Sequence, residues 1–358
     1  MDRGAKISGR GTSSAPKNRF EKLASEIDLE HFDPLDEDLQ PRKVATELLP
    51  DQAKTLIREN DSPDISFRYS INVYRGCEHG CAYCYARPSH ETLGMNAGID
   101  FETKLLVKYD APKLLREELN HRAWRGAEIV MSGVTDCYQP IERQLKLTRS
   151  LLEIMVEANQ PTGIITKNAL VARDLDLLAQ LATKNLVHVG ISITSLDQQL
   201  TRLLEPRTSS PAARLRAIEL LSAAGVPVHA MISPIIPGLN DNEIPELLAA
   251  VKRAGARRAG TILVRLPWAV APIFEAWLRE HRPTMADKIL ERIRSSRDGK
   301  LNDPRFGSRM HGSGEYAENI RRTFDLFAKK LGLSDSLPPL DSSQFHPPKL
   351  PGTQQLLF

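Results

Sequence analysis

The sequence predicts an α/β fold in which βα units repeat along a parallel sheet. Two observations predict it. Short β-rich runs recur every few tens of residues, and stretches with apolar residues at helical spacing separate them. Several of these runs are near-continuously apolar, as expected of parallel strands covered on both faces. Six such units make a partial (β/α)6 barrel of the TIM type, and an open doubly wound sheet would show the same periodicity. In either fold, functional residues belong at the C-terminal ends of the strands.

Residues 1–65 read as an N-terminal extension. Its first part is polar and basic, through Arg3, Lys6, Arg10, Lys17 and Arg19, and reads as a flexible arm; residues 21–38 are acidic. A weak helical pattern covers 45–58. The barrel is placed at 66–270, with strands expected at 70–74, 128–131, 163–166, 186–193, 226–232 and 261–264. Helices are expected at 141–158, 173–184, 211–224 and 242–254, with Gly225 just past the third of them, where a left-handed residue ends a helix. After Pro267 the pattern turns helical. Residues 271–333 read as a helical C-terminal extension, with helices at 272–281, 286–295 and 315–331 and a basic, Gly-rich stretch at 303–314. Residues 334–358 are Pro/Ser-rich and read as an extended tail.

The chain has 358 residues, 41% of them hydrophobic and 26% charged, which is ordinary for a soluble globular protein. A net charge of +3 does not by itself argue for nucleic-acid binding. No apolar run approaches the roughly 20 residues needed to span a bilayer, and the opening Met1-Asp2-Arg3-Gly4 carries no apolar signal segment. The expected location is the reducing cytoplasm, with no membrane partner.

Three of the four cysteines lie in Gly76-Cys77-Glu78-His79-Gly80-Cys81-Ala82-Tyr83-Cys84-Tyr85, just after the first expected strand. Their C-x3-C-x2-C spacing brings three thiolates together, enough for three irons of a cubane [4Fe–4S] cluster. The fourth iron then lacks a protein ligand and can chelate an amine and a carboxylate, the pair that the methionine moiety of S-adenosylmethionine offers. An electron passed to the sulfonium would break a C–S bond and release a 5′-deoxyadenosyl radical. The competing reading is a zinc site, which normally wants four ligands and would draw the fourth from His79 or Cys137.

The same residues carry a resemblance. C-x3-C-x-aromatic-C in a βα-repeat chain resembles the radical S-adenosylmethionine (radical SAM) superfamily. The wider strings Asn72-Val73-Tyr74-Arg75-Gly76-Cys77 through Cys84-Tyr85-Ala86-Arg87, and Thr135-Asp136-Cys137-Tyr138-Gln139-Pro140-Ile141-Glu142, resemble its branch containing spore photoproduct lyase. The resemblance covers about 66–264. The Gly9-Arg10-Gly11 arm and the Phe306-Gly307 region suggest a bacterial sub-branch of that group.

The resemblance implies the partial barrel, a [4Fe–4S] cluster on Cys77, Cys81 and Cys84, S-adenosylmethionine as cofactor, and an electron donor such as flavodoxin or ferredoxin. It places Gly133, Thr135 and Asp136 near the methionine amine, where an ordinary βα turn with a capping Asp is the alternative. It places Lys167 near the cofactor carboxylate, Ser192 or Thr194 near the ribose or carboxylate, and Arg207 near the cofactor or an anionic substrate. Tyr83 packs on the adenine or in the core, and residues 231–238 cradle the adenine. In spore photoproduct lyase a cysteine near the end of the second strand returns hydrogen to the product radical. Cys137 is the candidate here, although Val134 aligns nearer that position, which puts lesion reversal in doubt.

DNA is the expected substrate class, with damaged bases foremost. The alternatives are radical modification of RNA, a peptide or a small molecule, and a metal-bound nucleic-acid-binding module without catalysis. Two further features point to DNA. The C-terminal region is basic, through Arg292, Arg294, Arg297, Lys300, Arg305, Arg309, Arg321 and Arg322. The terminus Gln354-Gln355-Leu356-Leu357-Phe358 resembles the peptides by which bacterial repair and replication proteins dock on the sliding clamp.

Overall fold

The computed structural model describes residues 9–12, 14–16, 18–20 and 44–350. Its strands are β1 (Glu47–Pro50), β2 (Ile57–Glu59), β3 (Tyr69–Ile71), β4 (Tyr74–Arg75), β5 (Lys104–Val107), β6 (Ile129–Met131), β7 (Thr162–Thr166), β8 (Val187–Ser192), β9 (Val228–Ile235) and β10 (Arg258–Leu263). Six of them, in the order β10-β9-β8-β7-β6-β3, pair in parallel, and β2 adds an antiparallel edge beside β3. This is the expected partial barrel of six βα units. A small separate sheet, β1-β5-β4, lies beside it.

Successive side chains of a strand point to opposite faces. The face that carries Ile129, Met131, Ile164, Val189, Val228 and Ile232 is no more than 1% exposed, because the helices cover it. The opposite, inner face is different in kind. Glu128, Ile165, His188, His229, Met231 and Gly260 are only half-buried there. TIM barrels ordinarily fill this space with layers of branched side chains. Here Gly163, Gly190 and Gly260 stand on β7, β8 and β10, and the His229 imidazole occupies the space that a side chain at Gly260 would need, 2.8 Å away. The inner face is therefore lined by glycines and polar groups beside its few apolar side chains.

Two expectations about local structure fail for identifiable reasons. The weak helical pattern at 45–58 is β1 and β2 instead. Pro50 would interrupt a helix there, while the register Leu48↔Leu105 and Leu49↔Leu106 pairs β1 with β5. The helix expected at 141–158 is two, Glu142–Leu145 and Leu147–Ala158, broken at Lys146 with φ 53°. The Glu142 carboxylate turns back to accept from the Thr148 N–H at 3.1 Å, and so starts the second helix itself.

The described parts of the arm and the tail are fastened to the barrel. In the segment read as a flexible arm, Arg10 donates to the Glu102 carbonyl (2.7 Å) and the Thr46 hydroxyl (2.9 Å), and Asn18 to the Glu91 carbonyl (2.9 Å). In the tail, the N–H groups of Asp341, His346 and Lys349 donate to Asn185, Ala158 and Glu157. The tail thus runs across the N-terminal ends of the barrel strands. In the C-terminal extension, the Leu333 carbonyl accepts from Ala259 N–H (2.9 Å) and so covers the β10 edge.

Candidate functional site

The cysteine loop leaves β4 and enters the 3-10 helix Arg87–Leu93. Two of its residues, Gly76 (φ +88°) and Gly80 (φ +65°), take the left-handed conformation that glycine tolerates. A Cβ on Gly80 would fall 2.6 Å from the Glu102 carboxylate. Arg87, fully buried, holds the loop from inside. Its guanidinium donates to the carbonyls of Cys81, Gly80, Ala97 and Gly98 and to Glu102 at 2.6 Å. The other Glu102 oxygen accepts from Gly11 N–H at 2.8 Å, so the arm closes over the loop from outside. Gln139 bridges the loop to the turn after β6, accepting from Glu78 N–H (2.8 Å) and donating to the Gly76 carbonyl (3.2 Å).

Cys77 and Cys81 are buried and Cys84 half-buried. Burial pushes all three thiols up, so they stay neutral until something cationic binds. The backbone N–H groups of His79 and Asp136 face the Cys77 sulfur, and those of Ala86 and Arg87 face that of Cys84, as donors suited to thiolates. Among the described residues, no three His, Cys, Asp or Glu side chains converge on one point as a single ion requires. A cubane asks for something else, one thiolate for each of three irons, and three neighbouring thiols fit that. Zinc also loses both of its possible fourth ligands. The two His79 ring nitrogens lie against Asp136 (3.4 Å) and Asn168 (3.3 Å), and Cys137 belongs to the main core.

Beside the loop, Lys167, at the end of β7, reaches the Ser192 hydroxyl, the Ser233 carbonyl (3.2 Å) and Glu205 (3.7 Å), with its ammonium 5.8 Å from the Tyr83 ring centre. Glu205, 1% exposed, is the hub of this group. Tyr83, Thr194 and Arg214 all donate to it. Burial alone would raise the Glu205 carboxyl, but Arg214 and Lys167, with bonds from Thr194 and Tyr83, hold it at about 2. Glu205→Leu strips Arg214 and Lys167 of this counterion. We expect a loss of about 3–5 kcal/mol of stability, read by chemical denaturation of the variant against wild type.

The family model of the Radical SAM superfamily matches residues 71–251, half of the chain and all of this site except the arm. The chain belongs to the radical SAM superfamily. It is therefore a radical SAM enzyme, and its cofactors are a [4Fe–4S] cluster and S-adenosylmethionine. It is 35% identical over 232 residues to the uncharacterized protein Rv2578c of Mycobacterium tuberculosis, covering 64% of this chain and 68% of that one. It is 36% identical over 176 residues to the uncharacterized protein MJ0683 of Methanocaldococcus jannaschii, covering 49% of this chain and 63% of the relative. Among solved structures, spore photoproduct lyase complexed with dinucleoside spore photoproduct has the same fold, with TM-score 0.57, 20% identity and 79% of each chain covered. A variant of that lyase with bound AdoMet and the same dinucleoside matches equally well, with TM-score 0.57 and 20% identity.

Within the radical SAM site, the sequence-predicted residues divide. Lys167, Ser192 and Tyr83 come together beside the cysteine loop, although Tyr83 is buried and spends its hydroxyl on Glu205. Asp136 serves the fold. Its carboxylate accepts from Thr166, from Lys167 N–H and from Tyr138 N–H, each at 2.8 Å, as in a capping turn. The Thr135 hydroxyl donates to the Tyr74 carbonyl (2.6 Å), and the Gly133 carbonyl accepts from Tyr85 (2.9 Å). Arg207 pairs with Glu78 at 3.0 Å.

Cys137, the candidate hydrogen donor, lies deeper. It is 2% exposed, in the main core, with Ser132 bonded to it and burial pushing its thiol up. In the basic C-terminal region, several charges have partners. Arg297 is buried and donates to the Leu263 and Val264 carbonyls, Arg305 pairs with Asp298 and Asp303, and Arg321 and Arg322 share Glu318. Only Arg297 is withdrawn from solvent; the other three are paired at the surface.

Sequence reasoning missed Arg87, Glu102 and Glu205 as site-building residues. Arg87 closes the quoted cysteine string, and Glu205 stands two residues before Arg207. Only burial distinguishes them from surface charges.

Proposed function

We propose that this radical SAM enzyme acts on DNA, at a damaged base, with the cluster on Cys77, Cys81 and Cys84. The observation that supports the reading is the polar group of Lys167, Ser192 and Thr194 at the strand ends beside the cysteine loop, in a fold shared with a lyase captured with a dinucleoside photoproduct. When bound, the cluster supplies the electron that cleaves S-adenosylmethionine to the 5′-deoxyadenosyl radical. The chain's own residues shape the space around that chemistry. Lys167 and Ser192 present a cation and a hydroxyl suited to the cofactor carboxylate, and Glu205 holds Lys167 in position. The buried loop keeps water from the thiols. A small flavodoxin or ferredoxin is the proposed electron donor.

The test is anaerobic reconstitution with iron and sulfide, followed by 5′-deoxyadenosine measurement under reduction with no DNA, undamaged DNA or ultraviolet-irradiated DNA. We expect irradiated DNA to raise the rate several-fold. Equal rates in all three arms, with stimulation by an RNA or a peptide, would remove DNA from the reading. The proposed clamp peptide, residues 354–358, lies outside the described residues. Deleting it should abolish binding to the sliding clamp, and unchanged affinity ends that part. Among the described residues no helix is long and apolar enough to cross a membrane.

A further inference from the structure

Among the described residues, most arginines have a carboxylate or carbonyl partner, and Arg265 does not. It lies two residues past the end of β10, at the strand ends where βα barrels carry their sites. It is half-buried, yet among the described residues it makes no hydrogen bond and no ion pair. The acidic group that acts on it, Asp64, is already taken: Asp64 accepts from Gly307 N–H (2.7 Å) and from Arg309 (2.5 Å). Burial and the nearby Arg309 charge both disfavour the Arg265 cation as it stands. A half-buried guanidinium in this condition is stabilised by an incoming anion.

The surroundings specify which anion. The Arg265 guanidinium lies 4.7 Å from the ring centre of Tyr85, which directly follows Cys84 and is 45% exposed. Arg309 lies likewise 4.5 Å from the ring centre of Phe306, which is 61% exposed. Arg309 also donates to Asp64 and Ser62, in the loop after β2, the strand at the opposite edge of the sheet from β10. The two arginine–aromatic pairs thus stand where the barrel fails to close on itself. Exposed rings beside guanidinium groups are what unpaired bases and their phosphates bind, by stacking and by charge. A peptide carboxylate would use the cation and leave the rings idle.

We infer that Arg265 binds a backbone phosphate of single-stranded or extruded DNA, while the open faces of Tyr85 and Phe306 stack on the flanking bases. This inference rests on the DNA reading above and assigns the surface that admits the strand. The lateral gap is the entrance, and Arg265 fixes the strand beside the cysteine loop.

The test is fluorescence anisotropy of a labelled single-stranded oligonucleotide with the reconstituted full chain at stepped potassium chloride. Arg265→Gln should weaken binding roughly tenfold and lower the salt slope by about one. Arg265→Lys keeps the phosphate contact and should retain the slope. Phe306→Ala should weaken single-strand binding roughly tenfold with little change in the slope. Iron content and the unfolding midpoint establish that each variant is folded. If the wild type binds and Arg265→Gln matches it in affinity and slope, the inference fails and the DNA reading stands. If Arg321→Gln, on the distant helix Gly314–Lys330, weakens binding as much as Arg265→Gln, attraction is diffuse and the inference also fails. If the wild type binds no strand, both readings fall.

Discussion

Cys81→Ala is expected to yield a folded, soluble chain that retains almost no iron or labile sulfide and forms no 5′-deoxyadenosine above background. The fold should survive because the loop does not depend on the thiol. Arg87 holds the Cys81 and Gly80 carbonyls, Ala82 N–H donates to the Leu204 carbonyl (3.0 Å), and Gln139 holds Gly76 and Glu78. The metal should be lost because each thiolate serves its own iron, and no spare ligand stands nearby to replace it. His79 is tied at both ring nitrogens and Cys137 is sealed in the core. Cys137→Ala is the matched control. It removes a thiol of the same size from a buried position and should keep both iron and cofactor cleavage, at a stability cost of about 1 kcal/mol. Iron and sulfide analysis of anaerobically prepared proteins, beside a cleavage assay, decides the matter. A Cys81→Ala protein that still binds the cluster and cleaves the cofactor contradicts the ligand assignment.

Arg87→Ala should be damaging for the opposite reason, through the fold and then the metal. The substitution removes all five bonds of the guanidinium and leaves Glu102, also fully buried, facing four freed carbonyls. Breaking a buried pair from one side costs about 3–5 kcal/mol, a large share of an ordinary domain's stability. Gly80 should then drift from Glu102, Gly11 should release, and the loop should no longer hold its three thiols in register. Differential scanning of the metal-free protein should show a lowered midpoint, and iron uptake at equal protein concentration should fall below one tenth of wild type. Arg87→Ala combined with Glu102→Ala relieves the unpaired carboxylate and should recover part of the midpoint, with iron uptake still poor. Normal iron uptake by Arg87→Ala would show that the cysteine loop holds itself.

The sequence alone determined the repeated βα units and the three-cysteine loop. Each rests on information local to the chain. Period-2 and period-3.6 patterns register within a few residues, and C-x3-C-x2-C is a spacing. The helix Ala286–Ser295 lies where its pattern predicts, and Gly225 takes φ +79° past the helix Pro211–Ala223. What depends on long-range pairing was hidden. Leu48 and Leu49 look helical until β5 arrives to pair with them, and Glu142 breaks a continuous pattern by reaching for Thr148. The tertiary structure alone decided which charges build the site. Arg87, Arg214 and Arg297 are buried anchors while Arg265 stands without a counterion, and nothing in the linear string separates them. The physical reason is that a charged side chain's role follows from burial and from what its neighbours leave unpaired, and both are settled only when distant segments meet.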